Sequence, residues 1–254
     1  MKNTIIALSV LLLTNLAACK KGNPYQVETV KDICGNVYPV VKIGSQLWMA
    51  ENMRCAKYDT QSEHAGVTLS TSKSAVSTPY YTDASNKSNW EENKYAQELS
   101  EEQISKLGYL YNGAAIIGLK NGNGQGNNIN GIRQGICPNG FHVPTSSELD
   151  ALIKTVCGVC DGEDIDSVND KLKTKKGWST KGYYSGNGND NYGFAALPSG
   201  YACGSLVRNV GTSSHFAFYV GNGEFEYLTL GYGAKRYRYR FSDNNTYSVR
   251  CVKN

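Results

Sequence analysis

Residues 135–152 constrain the fold more than any other stretch, because they combine a short strand, a turn and a well-marked helix start. Thr145 and Glu148 have the spacing of a capping box, in which two otherwise unpaired backbone N–H groups of the first helical turn are satisfied. The apolar residues that follow recur at helical spacing, and they are Leu149, Leu152, Ile153 and Val156. Pro144 favours an extended backbone at the residue before it and so ends the strand. The stretch therefore predicts a strand that leads directly into an amphipathic core helix.

The remaining chain has the pattern of short strands joined by long loops. It contains 27 Gly and 18 Tyr residues, and turn residues separate short apolar runs. Within residues 33–53, short apolar runs lie on either side of a Gly-Ser turn, and this arrangement predicts a β-hairpin. Alternation near the C-terminus predicts four antiparallel strands, at residues 215–220, 224–230, 235–241 and 247–252.

The N-terminus resembles a bacterial lipoprotein signal. Lys2 is followed by an apolar run at residues 5–16, which is too short to span a bilayer comfortably. The sequence Leu-Ala-Ala-Cys at residues 16–19 then resembles the lipobox, in which small residues precede a cysteine that is lipidated and becomes the mature N-terminus. The sequence therefore predicts that Cys19 carries a lipid.

This signal divides the chain into a signal peptide, a lipidated tether and one domain, at residues 1–18, 19–30 and 31–254. We expect the lipid at Cys19 to hold the protein at the bacterial cell envelope, on the outer membrane or the cell surface, since two or more acyl chains give stable anchoring. The formal net charge of +4 is small, and there is no basic block or nucleic-acid module. Nucleic acid is therefore not an expected partner.

Seven cysteines lie outside the lipobox, at positions 34, 55, 137, 157, 160, 203 and 251. Disulfides persist outside the cytoplasm, and an odd number leaves at least one thiol free or paired with a partner. Cys34 and Cys55 flank the predicted hairpin and could meet at its open end. Spacing alone does not fix the other pairs.

Five ordered blocks of the sequence resemble the Fibrobacter succinogenes major paralogous domain family. They are NVY at residues 36–38, VKIGSQLWMAEN at 41–52, GICPNGFHVPTSSE at 135–148, GFAALPSGY at 193–201 and SVRCVK at 248–253. The resemblance implies a secreted or lipid-anchored bacterial protein, and it brings no established activity. The third block and the C-terminal block also resemble the C-type-lectin-like and formylglycine-generating-enzyme superfold, an analogy at the level of fold.

That second resemblance implies a fold class and a disulfide. The expected fold is α+β and C-type-lectin-like, with two main helices packed on short twisted antiparallel sheets with long loops. In this superfold the strand entering the central helix lies near the closing strand, which implies a disulfide between Cys137 and Cys251. Cys157, Cys160 and Cys203 would then hold one bridge and one free thiol. Formylglycine-generating enzymes use a cysteine pair near the end of the domain, and only Cys251 lies there, so that activity is not carried over.

The motifs of the sequence do not assemble a catalytic or metal site. Cys157 and Cys160 fall at the C-terminal end of the predicted helix, where the dipole disfavours a thiolate, so a structural bridge is favoured over a redox site. Zinc would need a second ligand pair, and the three His residues are scattered. His142 alternates with apolar neighbours and is expected at the surface or boundary. The carboxylates of residues 161–166 lack EF-hand spacing and are expected to form a solvated loop, so we expect neither cofactor nor metal.

Residues 235–241 form a distinctive run in which basic and aromatic residues alternate and so occupy opposite faces of a strand. The basic face has Arg236, Arg238 and Arg240, and the aromatic face has Tyr237, Tyr239 and Phe241. The simpler interpretation puts the aromatic face on the core and the charged face in water. The alternative is a ligand surface, either an arginine ladder for an acidic ligand or tyrosines that stack on sugar rings.

Taken together, these features favour a lipid-anchored envelope protein with a non-catalytic binding domain, whose ligand is a polysaccharide or a partner protein. One alternative is an enzyme whose residues lie in the loops. The other is a structural component of the envelope.

Overall fold

The computed structural model describes residues 24–60, 62, 65, 67–71, 78–91, 96–118, 131–158, 165–180, 186–232, 235–240 and 245–254, with residues 235–240 described by their backbone alone. The strands in these residues are β1 (Gln26–Lys31), β2 (Val37–Ile43), β3 (Gln46–Met49), β4 (Tyr81–Asp83), β5 (Tyr109–Tyr111), β6 (Phe141–His142), β7 (Tyr201–Cys203), β8 (Leu206–Arg208), β9 (Ser214–Gly221), β10 (Glu224–Leu230), β11 (Lys235–Arg240), β12 (Asn245–Ser248) and β13 (Val252–Lys253). The α-helices are α1 (Glu101–Ser105), α2 (Gly113–Ile117), α3 (Ser146–Cys157) and α4 (Asp166–Leu172).

The strands form two sheets. The five-stranded sheet has the order β1-β2-β3-β13-β6, and the eight-stranded sheet has the order β11-β10-β9-β12-β5-β4, with β7 beside β12 and β8 beside β7. The strands pair antiparallel apart from β12 and β9, which meet in a parallel bridge. The N-terminal hairpin and the C-terminal strand therefore lie in the same sheet.

Helix α3 forms as the sequence predicts. The Thr145 hydroxyl accepts a hydrogen bond from the Glu148 N–H, and the Glu148 side chain accepts one from the Thr145 N–H, so the capping box is complete. The four predicted apolar residues are buried, in a core that they share with α4 and with Trp48 of β3. Burying one such aliphatic side chain contributes about 1.5–3 kcal/mol, so this stripe determines which face of the helix meets the sheets.

The predicted fold class is wrong. The described chain is mostly β, with two sheets and four short helices in place of two main helices packed on sheets. Helix α3 has twelve residues, α4 has seven, and α1 and α2 have five each. Helices shorter than about 12 residues are marginal on their own, so the three short ones connect strands while the sheets organise the core. The apolar stripe of α3 is a correct local signal, and α4 adds only a short one, in which Val168 and Leu172 are buried.

The segment at residues 247–252, predicted as one strand, contributes to two strands in different sheets. Residues 247 and 248 belong to β12, and residue 252 belongs to β13. Between them, the carbonyls of Val249 and Cys251 accept hydrogen bonds from the backbone of residues 49–53. Val249, Arg250 and Cys251 are all buried, so the alternation that marks a half-buried strand is absent at this crossing. The parallel bridge between β12 and β9 also corrects the prediction that all four C-terminal strands are antiparallel.

His142 is buried rather than at the surface. Its strand β6 has only two residues and pairs with β13. Phe141 and Val143 belong to one apolar cluster, and His142 instead contacts Glu148 of α3 and the terminal residue Asn254. The strand pattern predicts the alternation correctly, but it cannot show that the second face is covered as well.

Two disulfides join described cysteines, Cys34 with Cys55 and Cys137 with Cys251, at Cα–Cα distances of 5.7 and 5.8 Å. These are the two pairs named from the sequence. Cys157 is disulfide-bonded too, and its partner is not among the described residues. Cys203 in β7 is free and exposed. The Cys137–Cys251 bond ties the segment before α3 to the C-terminal crossing between the sheets.

Candidate functional site

The centre of the domain contains a buried arginine. The Arg250 guanidinium donates to Asn52 Oδ1 at 2.8 Å, to the Phe194 carbonyl, and to the Ala195 carbonyl at 3.1 Å. It also lies over the Phe194 ring, 4.3 Å from the centroid. Burial lowers the pKa of Arg250 to about 9, so the group stays charged at pH 7. Its donors hold three chain segments together, which makes it a structural cross-link rather than an exposed anion site.

A chain of buried hydroxyls extends from the same centre. The Asn52 amide donates to the Ser248 hydroxyl at 3.3 Å, which lies 2.9 Å from the Ser199 hydroxyl. Ser199 in turn lies 3.0 Å from Ser214. A catalytic serine is activated by a base within hydrogen-bond reach, whereas these hydroxyls bond to one another. The blocks at residues 41–52, 193–201 and 248–253 therefore meet in space, and together they build a polar core.

His142 and Glu148 form a second buried polar group. His142 Nε2 lies 2.8 Å from Glu148 Oε1, and His142 Nδ1 lies 2.8 Å from Asn254 Oδ1. Burial opposes the charge on each, but their mutual hydrogen bond and those of Asn254 and Thr145 outweigh it, so the pKa of His142 is raised and the pKa of Glu148 is lowered. The pair clamps the start of α3 to the C-terminus, and both imidazole nitrogens are occupied.

The described residues contain one group with the composition of a metal site, Asp32 with Cys34 and Cys55. Its two sulfur atoms are joined in a disulfide, so it offers no thiolate. Asp32 also accepts hydrogen bonds from the Tyr38 hydroxyl at 2.6 Å and the Asn36 amide at 2.9 Å. This cluster serves to fix the turn between β1 and β2.

The predicted ligand face of Arg236, Tyr237, Arg238, Tyr239 and Arg240 lies in β11, at the edge of the eight-stranded sheet. The backbone register places Arg238 opposite Glu226 and Arg240 opposite Glu224 of β10. Opposite charges at directly paired positions stabilise a sheet by about 0.2–1 kcal/mol. The side chains of β11 lie outside the described part of the structure, so both interpretations of this face stay predictions, as does the position of Phe241.

Two tyrosines form an aromatic pair at the opposite edge of that sheet. The rings of Tyr81 in β4 and Tyr109 in β5 are stacked, with centroids 4.4 Å apart, and both are partly exposed. Each ring covers one face of the other, and Tyr111 lies beside both at centroid distances of 6.4 and 6.3 Å. This pairing leaves no open, flat platform between the two rings.

A cleft of about 340 Å³ lies nearby, where three short segments meet. The segment after β4 supplies Lys87 and Trp90, the loop before α1 supplies Ala96, Gln97 and Leu99, and α1 supplies Glu101 and Ile104. The alanine, leucine and isoleucine are buried and form an apolar floor. The polar side chains are exposed at its rim. The cleft therefore joins an aromatic wall, an apolar floor and hydrogen-bonding groups.

The side chains of the cleft are held in place. The Trp90 indole N–H donates to the Ala84 carbonyl at 2.9 Å, which fixes the orientation of the partly exposed ring. Lys87 Nζ lies 2.7 Å from Glu101 Oε1 in an ion pair at the rim. Helix α1 begins with the capping box of Ser100 and Gln103, whose three-residue spacing is the usual sequence signature of such a cap. A rigid aromatic ring beside paired charges is suited to bind a ligand that has both an apolar face and hydroxyl groups.

The motifs of the sequence do not reveal this cleft. Its residues lie close together in the sequence, within 87–104, but they follow no periodic pattern, and the ion pair of Lys87 with Glu101 spans fourteen positions. The available signal is Trp90 itself, a tryptophan in a polar stretch that no periodic apolar pattern explains. That signal could have marked Trp90, but not the residues around it.

Cys19, the predicted lipidation site, lies outside the described residues, as does Cys160. None of the helices in the described part of the chain has the length and apolar character needed to span a bilayer.

Comparison with known proteins gives a family for the chain. Residues 41–253 match the family model described as the Fibrobacter succinogenes major domain. The search of curated proteins found no match, and the search of solved structures found none either, so the C-type-lectin-like resemblance gains no support. The matched segment spans most of the 254 residues and includes the three blocks that meet around Arg250. The chain belongs to the Fibrobacter succinogenes major domain family.

Proposed function

We propose that this protein is a lipid-anchored, non-catalytic binding domain of the bacterial cell envelope, and that it binds polysaccharide in the cleft at Trp90. The observation that carries the proposal is the combination in one cleft of the fixed Trp90 ring, an apolar floor and a charged rim. Ligand sites are typically concave and mainly apolar, with a few polar groups that orient the ligand.

The chemistry of a sugar ring matches these surfaces. One face of a pyranose presents C–H groups, which pack on an indole ring, while its hydroxyls need hydrogen-bond donors and acceptors. Lys87 supplies donors, Glu101 supplies acceptors and Gln97 supplies both. The volume of about 340 Å³ is at the small end of the range for ligand sites, about 300–1,000 Å³. A short stretch of a polysaccharide, rather than a long segment, is the expected occupant.

The location is supported by the lipobox at residues 16–19 and by the disulfides. Disulfides form and persist in oxidising compartments outside the cytoplasm, and Cys34–Cys55 and Cys137–Cys251 are both formed. The anchor is tested with Cys19→Ala, which removes the sulfur that carries the lipid. We expect the variant to leave the detergent phase in a detergent-partition assay, and its retention there would contradict lipid anchoring at Cys19.

Ligand binding is tested on a glycan array with the domain lacking its lipid, together with cellulose and xylan pull-downs. We expect binding to at least one polysaccharide and its loss in Trp90→Ala. Tyr232→Ala is the matched control, because Tyr232 is 50% exposed and lies outside the cleft. Absence of binding to every polysaccharide, or equal losses in the two variants, would contradict the proposed site.

A further inference from the structure

The hairpin of β1 and β2 has an unusual concentration of exposed apolar side chains. Seven large hydrophobic residues are exposed in the described chain, and four of them lie within residues 25–37. They are Tyr25 at 43%, Val27 at 56%, Ile33 at 41% and Val37 at 49%. We call these four residues and Lys31 the hairpin surface.

The backbone places much of this surface at an edge. Strand β1 is the outermost strand of the five-stranded sheet, and Lys31 lies directly opposite Val37 in the register with β2. Apolar residues on an exposed edge strand favour association with another surface unless something covers them. The turn that carries Ile33 is fixed by the Cys34–Cys55 disulfide, so the hairpin surface is presented on a rigid element.

The sequence before β1 indicates what covers it. Only residues 20–25 separate Cys19 from the start of β1 at Gln26. Six residues span at most about 20 Å when fully extended, so a lipid on Cys19 keeps the hairpin close to the membrane. Lys20 and Lys21 lie in this segment, and basic residues next to a membrane are attracted to anionic headgroups. Tyr25 follows them, and tyrosine side chains favour the membrane interface.

We propose that the hairpin surface rests on the phospholipid headgroup layer of the membrane that holds Cys19. This inference depends on the lipid anchoring in the proposed function and is independent of the cleft. The short tether, the two lysines and the apolar hairpin act together, so the domain is held against the bilayer instead of moving freely above it. The occupant of the exposed edge is lipid, not a second copy of the chain.

The test uses the full lipidated chain in vesicles of phosphatidylethanolamine and phosphatidylglycerol that contain a lipid with a spin label on its headgroup. One sample has a fluorophore at Val27→Cys in a Cys203→Ser background. The control has the same fluorophore on native Cys203, which is exposed and belongs to β7 of the other sheet. We expect the spin-labelled lipid to quench fluorescence at residue 27 and to leave the signal at residue 203 unchanged.

Vesicle flotation separates the two ways in which this inference can fail. Protein that floats with the vesicles but shows equal quenching at both positions, or none at residue 27, overturns the membrane contact and leaves the anchor standing. Protein that does not float overturns both. Quenching at residue 27 that depends on the protein-to-lipid ratio, and not on the spin label, identifies a second copy as the occupant and also overturns the proposal.

In a Val37→Glu variant of the Val27→Cys protein, a charge replaces an exposed apolar contact, and we expect a partial loss of quenching.

Discussion

The disulfide between Cys137 and Cys251 allows a stability prediction whose size follows from the topology. It joins residues 114 positions apart, whereas Cys34–Cys55 joins residues 21 positions apart. In the chain-entropy model, closing these loops stabilises the folded state by about 4.8 and about 3.4 kcal/mol, as upper values. Cys137 and Cys251 are both fully buried, so removing their sulfur atoms also removes packing. The Cys137→Ala/Cys251→Ala protein should therefore lose more stability than Cys34→Ala/Cys55→Ala.

Urea unfolding gives the free energy of unfolding of each double variant directly, and calorimetry gives its melting temperature. For a domain of this size about 1 kcal/mol corresponds to roughly 2–4 °C, so we expect a decrease of roughly 10–20 °C for the long-loop pair at the upper value. An equal or smaller loss than that of the short-loop pair would refute the reasoning from loop length and burial. Non-reducing peptide mapping of the native protein provides the control on the pairing itself.

Three further substitutions test polar groups in the interior of the domain. Burial opposes a charged His142, but its hydrogen bonds to Glu148 and Asn254 outweigh this and raise its pKa above the ordinary value of 6.5. The stabilisation of the fold by His142 is therefore complete below pH 6.5 and is lost as the pH rises through the raised pKa. The melting temperature of His142→Gln, measured over the same pH range, should not show that decrease. Burial lowers the pKa of His215 from 6.5 to about 4. The free energy of unfolding should therefore decrease by up to about 3 kcal/mol as the pH falls from 6.5 to 4. A His215→Gln protein that keeps this acid dependence would show that His215 is not its source. In Arg250→Lys a single ammonium nitrogen replaces three donor nitrogens that each bond to a different acceptor, so it cannot reach all three. We expect the free energy of unfolding to fall by about 3 kcal/mol or more. An unchanged urea midpoint would show that the cross-link contributes little.

Local signals in the sequence predict local structure well here. The capping boxes at Thr145 and Ser100 both form, because a cap depends on residues only three positions apart. The hairpin around the Gly-Ser turn also forms, as β2 and β3. The Cys137–Cys251 pair also forms, but it is implied by the resemblance to a superfold and not by a local pattern of the sequence.

The remaining features depend on contacts that no local pattern contains. The number of helices that cover the sheets depends on how many apolar helix faces pack against a sheet. Among the described helices, α3 alone is long enough to cover one. Residues 249–251 leave one sheet for the other because the buried Arg250 bonds to Asn52 and to the backbone near Phe194, groups distant in the sequence. The cleft around Trp90 escapes prediction for a different reason, since all its residues lie within 87–104 but no periodic pattern there marks a binding site.

The fluorescence of Trp90 tests the proposed function most directly. Trp48 and Trp178 are buried, at 0% and 1% exposure, and Trp90 is the partly exposed member of the three tryptophans in the chain. Acrylamide quenching of intrinsic fluorescence therefore reports mainly on the cleft, and Trp90→Phe provides the background signal. With a polysaccharide identified on the array, we predict that saturating ligand reduces the acrylamide-quenchable fluorescence of the native protein and leaves that of Trp90→Phe unchanged. A polysaccharide that binds while Trp90 stays equally open to acrylamide would show that the ligand lies elsewhere and would contradict the proposed site.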